Sequence, residues 1–416
     1  MARGRPARHD PIIEPLVTDR VVIARGVLAD GPSRARLDAM LPRVSADRVD
    51  VVDDDELERT LSSLGPRQGR ARGGLSGRGR DKSLVAFARF GDGAEAEVFP
   101  GYSWRELRDA REQAEQHGVL CQTALEIQSV VGCPFDCAYC PYTSFVCLRL
   151  DVERFVERVA ALVDERPSQT LWKLNNRSDT LALEPEYGLA TALVERFARL
   201  GGPMLMLYSK GASVEHLASL DHRGRTVASF TITPDRVASL LEQGAPPPGL
   251  RIAALGTLHR AGYPTRVRFS PVVPLRGWRD LYADLVDRIA RAGEPELVTM
   301  WTLSMIDFAE LSSIVPLDDL DPAVVDQARA AARSMRGDKG APFPAAVRAA
   351  IYGELAALLH DRLPRTRVSL CLEAPAVWDA LGPVLPPRTR GGFLCNCGPR
   401  ATSDAVRLVA LRRSHP

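Results

Sequence analysis

From about residue 125 onward, short apolar runs alternate with segments whose apolar residues recur every three to four positions. The runs at 125–131, 170–174, 204–208, 227–231, 266–269 and 297–301 have the length and the β-branched or aromatic content of buried strands. The segments 152–164, 186–199, 214–220, 251–261 and 280–292 carry the helical period between them. Repeated strand–helix units predict an α/β fold with a parallel sheet. Before this region, 20–28 and 49–52 read as strands and 33–43 as a short helix. The runs 84–90 and 96–99 read as a hairpin turning at Gly91-Asp92-Gly93. After residue 301 the pattern weakens, with helices expected at 322–336 and 345–363 and a short strand at 368–371.

This pattern divides the chain into an N-terminal α+β region (1–115), a strand–helix region (116–310) and a C-terminal extension with a cysteine-containing tail (311–416). The stretch 65–82 is rich in Gly and Arg and cannot bury apolar surface. It reads either as a nucleic-acid contact or as a solvated loop. The chain has 416 residues, 45% hydrophobic and 25% charged, with a formal net charge of +2. That balance makes no strong claim on nucleic acid for the molecule as a whole. No apolar run is long enough to span a bilayer and no signal-peptide core follows the basic start, so a cytoplasmic location is expected, without a membrane partner. Eight cysteines without an export signal suggest reduced thiols or metal ligands rather than a disulfide framework.

Three of those cysteines, Cys133, Cys137 and Cys140, lie in Gly132-Cys-Pro-Phe-Asp-Cys-Ala-Tyr-Cys140, a C-x3-C-x2-C spacing just after an apolar run. Thiolates this close can hold three corners of a four-iron, four-sulfur cluster and leave the fourth iron free. A structural zinc site would want a fourth ligand, for which Cys147 is a candidate. The spacing, with Tyr139 before the third cysteine, resembles the signature of the radical S-adenosylmethionine (SAM) enzymes. The resemblance implies a [4Fe-4S] cluster whose open iron chelates SAM, one-electron cleavage of SAM to a 5′-deoxyadenosyl radical, and an electron donor such as flavodoxin or ferredoxin. It also implies a partial (β/α)6 radical SAM barrel, with the cysteine loop after the first strand, at the end where parallel barrels gather their sites.

A closer resemblance follows along the chain. The segments Leu171-Trp-Lys-Leu-Asn-Asn-Arg-Ser-Asp179, Tyr208-Ser-Lys210, 227–233, 249–264, Phe269-Ser-Pro271 and Gly277-Trp278 resemble successive parts of the spore photoproduct lyases. Carried over by position, Ser178 and Lys210 would hold SAM and Tyr139 would line its adenine; Asn176 and Ser229 complete the expected cofactor-binding set. One departure concerns the chemistry. The lyases carry a hydrogen-donating cysteine two residues before the Ser-Asp pair, and this chain has Asn176 there. Pro141-Tyr142-Thr143 likewise stands where the lyases carry a Tyr-Leu pair.

Both departures touch the substrate side, and they lead to an expectation of a changed substrate. The expected reaction is hydrogen abstraction that leads to redox-neutral rearrangement of a carbohydrate-containing small molecule, most concretely epimerisation of a sugar carbon in antibiotic biosynthesis. Cys397 or Cys395, in the tail Cys-Asn-Cys-Gly398, would reach the barrel mouth as hydrogen donor. The alternatives are a spore photoproduct lyase-like repair enzyme acting on DNA lesions, or a non-catalytic iron–sulfur or zinc protein that binds nucleic acid. A second cluster on Cys395, Cys397 and Cys371 lacks an evident fourth ligand; Cys371, Cys121 and Cys147 read as core. Asp179, Glu184 and Asp307 fall near expected strand ends and read either as substrate-binding groups or as caps and ion-pair partners.

Overall fold

The computed structural model describes residues 16–64, 81–91, 96–382, 384–385 and 394–398. Most of the Gly/Arg-rich stretch 65–82, and the turn expected at residues 91–93 apart from Gly91, lie outside them.

Two sheets organise these residues. The larger has eight strands in the spatial order Arg367–Leu370, Leu297–Thr302, Thr265–Val272, Thr226–Thr231, Met204–Ser209, Leu171–Leu174, Ala124–Ile127 and Arg105–Arg108. All neighbours pair in parallel except the last two, which are antiparallel. Five of the six expected strands lie in this sheet; the one expected at 125–131 is split, Ala124–Ile127 joining this sheet and Val130–Gly132 the other. Arg367–Leu370 is added at one edge and Arg105–Arg108 at the other. A bridge between Leu120 and Glu373 joins segments beside the two ends of the parallel array, so the sheet curls toward closure. Helices Val152–Glu165, Leu189–Leu200, Pro248–Arg260 and Trp278–Ala292 cover the outside through residues such as Phe155, Val159, Leu193, Phe197, Leu255 and Val286, all fully buried. This is the parallel α/β arrangement expected from the periodicity, curled into the partial barrel that the resemblance implies.

The inner face of the barrel is polar. Glu126, Lys173, Ser229, Arg266, Arg268, Thr299 and Ser369 alternate with outward apolar residues along their strands and are buried. Alternation of this kind puts every second side chain on one side of the sheet. Charged residues inside are therefore paired: Glu126 accepts from Lys173 at 3.0 Å and from Arg108 at 2.9 Å.

The second sheet runs Val44–Val52, Leu16–Ala24, Leu84–Ala88, Phe145–Arg149 and Val130–Gly132, with Asp81–Lys82 beside Leu16–Ala24. Here the sequence reading needs correction. Leu84–Ala88 is not half of a hairpin; it is a central strand, parallel to both neighbours. Its five consecutive apolar residues are all buried, as a strand covered on both faces requires. Phe145–Arg149 was not expected at all, and the strand expected at 20–28 ends at Ala24 and turns into a short helix. This sheet draws strands from both sides of residue 115, and the barrel sheet takes a strand from beyond residue 310. The chain crosses between the sheets at the buried Gln128 and Ser129. Among the described residues, no helix is long and apolar enough to cross a membrane.

Candidate active site: the cysteine loop and its surroundings

The loop begins where Val130–Gly132 ends. Gly132 has φ +85°, and a Cβ on it would lie 1.9 Å from the carbonyl oxygen of Phe145, so only glycine fits before Cys133. Cys133 N–H donates to Tyr142 O at 2.7 Å and Cys140 N–H to Cys137 O at 2.9 Å, which folds the three cysteines back on themselves. Asp136–Cys137 pairs with Glu242–Gln243 as a two-residue ribbon. Underneath, Lys82 ties the loop to the second sheet: its ammonium pairs with the Asp136 carboxylate and donates to Thr143 O at 2.6 Å and Phe135 O at 3.2 Å.

Cys133 and Cys137 are buried and Cys140 is partly exposed. Burial, reinforced by Asp179 and the other two cysteines, pushes the Cys133 thiol well up, and burial pushes Cys137 up to about 12. Without a metal these are neutral thiols, so binding iron must displace protons. Among the described residues, no three His, Cys, Asp or Glu side chains converge closely enough to hold a single metal ion. A zinc ion would draw its sulfurs to within about 4 Å of one another, at about 2.3 Å from the metal. A cubane instead takes each thiolate on its own iron and needs them further apart. Cys147 does not serve as a fourth ligand: it lies in Phe145–Arg149 with its thiol on Val98 O at 3.2 Å. The residues therefore fit a three-thiolate cluster better than zinc.

Beside the loop lies a buried network. Tyr139 Oη donates to Glu242 Oε1 at 2.6 Å, Thr233 Oγ1 to Glu242 Oε2 at 3.0 Å and Arg251 Nη1 to the same oxygen at 2.5 Å. Burial works against the Glu242 charge, but Arg251, Lys210 and Tyr139 outweigh it and hold its carboxyl below the usual range. Lys210 Nζ stands 3.9 Å from Glu242 and 5.4 Å from the Tyr139 ring centre. Burial opposes the Lys210 charge too, but the ionised Glu242 keeps the ammonium charged, and Cys137 adds to this once its thiol is deprotonated.

Ser178, Asp179 and Lys210 meet at neighbouring strand ends. Asp179 accepts from Ser209 Oγ and Lys210 N, each at 2.6 Å, and from Leu181 N at 3.1 Å. Burial nevertheless raises its pKa. Asp179 thus fixes the turn that carries Lys210 and is spent on it. Ser178 Oγ is buried with no hydrogen-bond partner, as is Arg251 Nη2. Unpaired buried polar atoms cost free energy unless something bonds them. A polar ligand lying against the cysteine loop would satisfy that need, which fits the amino-acid part of SAM.

The other expected site residues are placed differently. Asn176 is partly exposed at the same edge, next to Arg177, which donates to Tyr142 Oη at 2.8 Å and lies 4.8 Å from the Tyr102 ring centre. Ser229 faces the barrel interior and donates to Asn396 Oδ1 at 3.3 Å, so its hydroxyl serves the tail. Cys395 and Cys397 do not reach the mouth. Arg266 Nη1 grips the carbonyls of Asn396 and Gly398 at 2.5 and 2.6 Å, and Cys397 packs on Leu171, Met206 and Val227 near the strand beginnings. Met206 lies four residues before Lys210, about 13 Å deeper at about 3.3 Å per residue. Nor are Cys121 and Cys371 core residues; both are partly exposed. Glu184 caps the helix Leu189–Leu200 through Gly188 N at 3.0 Å and Ala190 N at 2.8 Å, and Asp307 forms a capping box with Glu310. Sequence reasoning missed Glu242, Arg251 and Lys82, whose partners are 9 to 103 residues away in the chain.

Comparison with known proteins agrees with this geometry. Residues 122–310 match the family model described as spore photoproduct lyase. Spore photoproduct lyase of Bacillus subtilis (strain 168) is 25% identical over 173 residues, 40% of this chain and 51% of that protein. The enzyme of that name from Clostridium acetobutylicum is 22% identical over 180 residues, 41% of this chain and 54% of that protein. The chain thus spans about half the length of the curated relatives it matches. A solved spore photoproduct lyase variant with bound AdoMet and dinucleoside spore photoproduct superposes with a TM-score of 0.58 at 14% identity, covering 86% of this chain and 99% of the other. A second solved lyase, complexed with dinucleoside spore photoproduct, gives a TM-score of 0.55 at the same identity and coverage. These matches overturn the expectation of sugar epimerisation in antibiotic biosynthesis, and with it the carbohydrate substrate: the similarity is to lyases of a photoproduct.

Proposed function

We propose that this spore photoproduct lyase-like radical SAM protein binds a [4Fe-4S] cluster and SAM and repairs a dinucleoside photoproduct in DNA. The observation that carries the reading is the meeting of the three-thiol loop with the unpaired Ser178 hydroxyl and the charged Lys210 at one end of the barrel. It is supported by the match of the barrel to the lyase family model. When bound, the cluster and SAM supply a carbon-centred radical able to take hydrogen from unactivated carbon.

Cys133, Cys137 and Cys140 hold the cluster. Lys210 offers an ammonium to a carboxylate, and Ser178 Oγ offers its unused hydrogen bond. Tyr139 is held by Glu242 with its ring toward the loop. The buried Glu242–Arg251 pair shields this end of the barrel from water. On the substrate side, Arg177 with Tyr102 and Tyr142 presents a cation and two aromatic rings, groups suited to a nucleotide's phosphate and bases. Asn176 cannot return a hydrogen atom, and the tail thiols lie too deep. We assign that step to the hydroxyl of Tyr142, a reading supported by its hydrogen bond to Arg177 beside Asn176.

The test is anaerobic turnover of synthetic dinucleoside spore photoproduct with reconstituted protein, SAM and dithionite. Separated nucleosides and 5′-deoxyadenosine are expected. In deuterium oxide the wild type should place solvent deuterium in the product, and Tyr142→Phe should keep SAM cleavage while losing most normal product. SAM cleavage with the photoproduct left intact would refute the substrate assignment.

A further inference from the structure

Of the five cysteines outside the cysteine loop, all but Cys147 come from segments that meet at the barrel's closing edge and interior. Cys121 precedes the strand Ala124–Ile127, Cys371 follows Arg367–Leu370, and Cys395 and Cys397 come from the tail. The Leu120–Glu373 bridge brings the first two segments side by side where the barrel closes. The grip of Arg266 on Asn396 and Gly398, with the Asn396 contacts to Ser229 at 3.3 Å and Met206 Sδ at 3.7 Å, inserts the tail thiols into the same interior. The thiols of Cys395 and Cys397 are hydrogen-bonded to each other, and both Cys121 and Cys371 lie within electrostatic reach of Cys397. Cys121, 250 or more positions before the other three in the chain, is thus the candidate for the fourth ligand that the sequence did not reveal.

The surroundings suit an anion. Arg108, Lys173 and Arg268 all act on Cys397, and Arg268 Nη2 is 3.9 Å from Cys371 Sγ. Arg268 is 8% exposed and its Nε has no partner. Four thiolates around a [4Fe-4S]2+ core carry a net charge of about −2, which these cations would balance. As at the first loop, no three of these thiols converge on the position of a single ion.

We propose that Cys121, Cys371, Cys395 and Cys397 ligate a second iron–sulfur cluster inside the barrel, deeper than the SAM-facing one. The site is independent of the photoproduct reading, since it uses none of the residues assigned to SAM or substrate.

Iron and sulfide content and electron paramagnetic resonance of anaerobically reconstituted protein test it. About eight irons per chain are expected in the wild type, and about four in two variants: Cys133→Ala/Cys137→Ala/Cys140→Ala, and Cys121→Ala/Cys371→Ala/Cys395→Ala/Cys397→Ala. The first variant leaves the proposed site untouched, so it reads the second cluster even if the other variant fails to fold. Its reduced spectrum should persist and should not change on adding SAM. About four irons in the wild type and none in the first variant would overturn the proposal. So would one zinc, or a Cys395–Cys397 disulfide, in place of the second set of irons.

Discussion

At the residue scale, the site depends on a few buried polar atoms whose partners decide what they can do. Lys210 is held charged by Glu242, and by Cys137 when that is a thiolate, yet stands 3.9 Å from Glu242, so its ammonium can bond a ligand carboxylate. A hydrogen bond to a charged group contributes roughly 1.5–3 kcal/mol. Lys210→Ala should therefore weaken SAM binding by about one to two orders of magnitude, at about 1.4 kcal/mol per tenfold, with iron content unchanged. Equilibrium binding of SAM to the reconstituted variant checks this, and unchanged affinity would remove Lys210 from the site. Glu184 illustrates the opposite case. Burial raises its pKa from 4.5 to about 7 against the helix N–H groups it accepts. The folded form therefore prefers the protonated carboxyl. Its contribution to stability is complete below pH 4.5 and is lost as pH rises through 7, about 3 kcal/mol in all. Urea unfolding at pH 5 and pH 8 should show that loss in the wild type and a smaller one in Glu184→Gln. Equal losses in both proteins would show that Glu184 does not titrate in this range.

At the element scale, the cysteine loop is fixed by a side chain from the other sheet. Lys82 and Asp136 are fully or nearly buried, and the ammonium also holds two loop carbonyls. Removing one partner of such a pair costs about 3–5 kcal/mol because the other is left buried and charged. Lys82→Ala should lower the urea midpoint and shorten the time for which the protein keeps its iron under chelator challenge. Iron retention equal to the wild type would show that the loop holds its shape without the staple. The sequence could not show this pairing, since 53 to 61 residues separate Lys82 from its partners. What it did show were periodic features. The barrel strands and their longer helices follow local patterns of apolar residues and were legible, although the first strand was read through Gln128 and Ser129 into the other sheet and the short helix Asp235–Leu241 was missed. Phe145–Arg149 carries an equally apolar run but lies just after the cysteine motif, and its pairing with Leu84–Ala88 is a long-range fact. The hairpin expected at 84–99 failed for the same reason: five apolar residues in a row mark a strand covered on both faces, not the edge of a two-stranded ribbon.

At the scale of the whole molecule, the barrel has two chemically distinct levels. The upper one joins Cys133, Cys137, Cys140, Ser178 and Lys210, whose residue types and spacing were visible in the sequence. The lower one is polar, with Glu126, Lys173, Arg266 and Arg268 buried. Its signal was present as charged residues at alternate positions within otherwise apolar strands, Ala-Leu-Glu-Ile127 and Thr-Arg-Val-Arg-Phe269. The occupant of that interior was not legible, because the tail returns from more than 120 residues away to lie on Arg266. This path also explains why Cys395 and Cys397 are poor candidates for a donor at the mouth and why Ser229 is not available to SAM.

The central claim is that the three-thiol loop holds a cluster that works on SAM at the upper level. Its most direct measurement is the 5′-deoxyadenosine formed from SAM by dithionite-reduced, iron-loaded protein, compared with Cys137→Ala prepared in the same way. Steady formation by the wild type and none above background by the variant are expected, even where the variant retains iron at its other thiols. Wild-type protein with a full iron complement that leaves SAM intact, or a variant that cleaves it at the wild-type rate, would contradict the account.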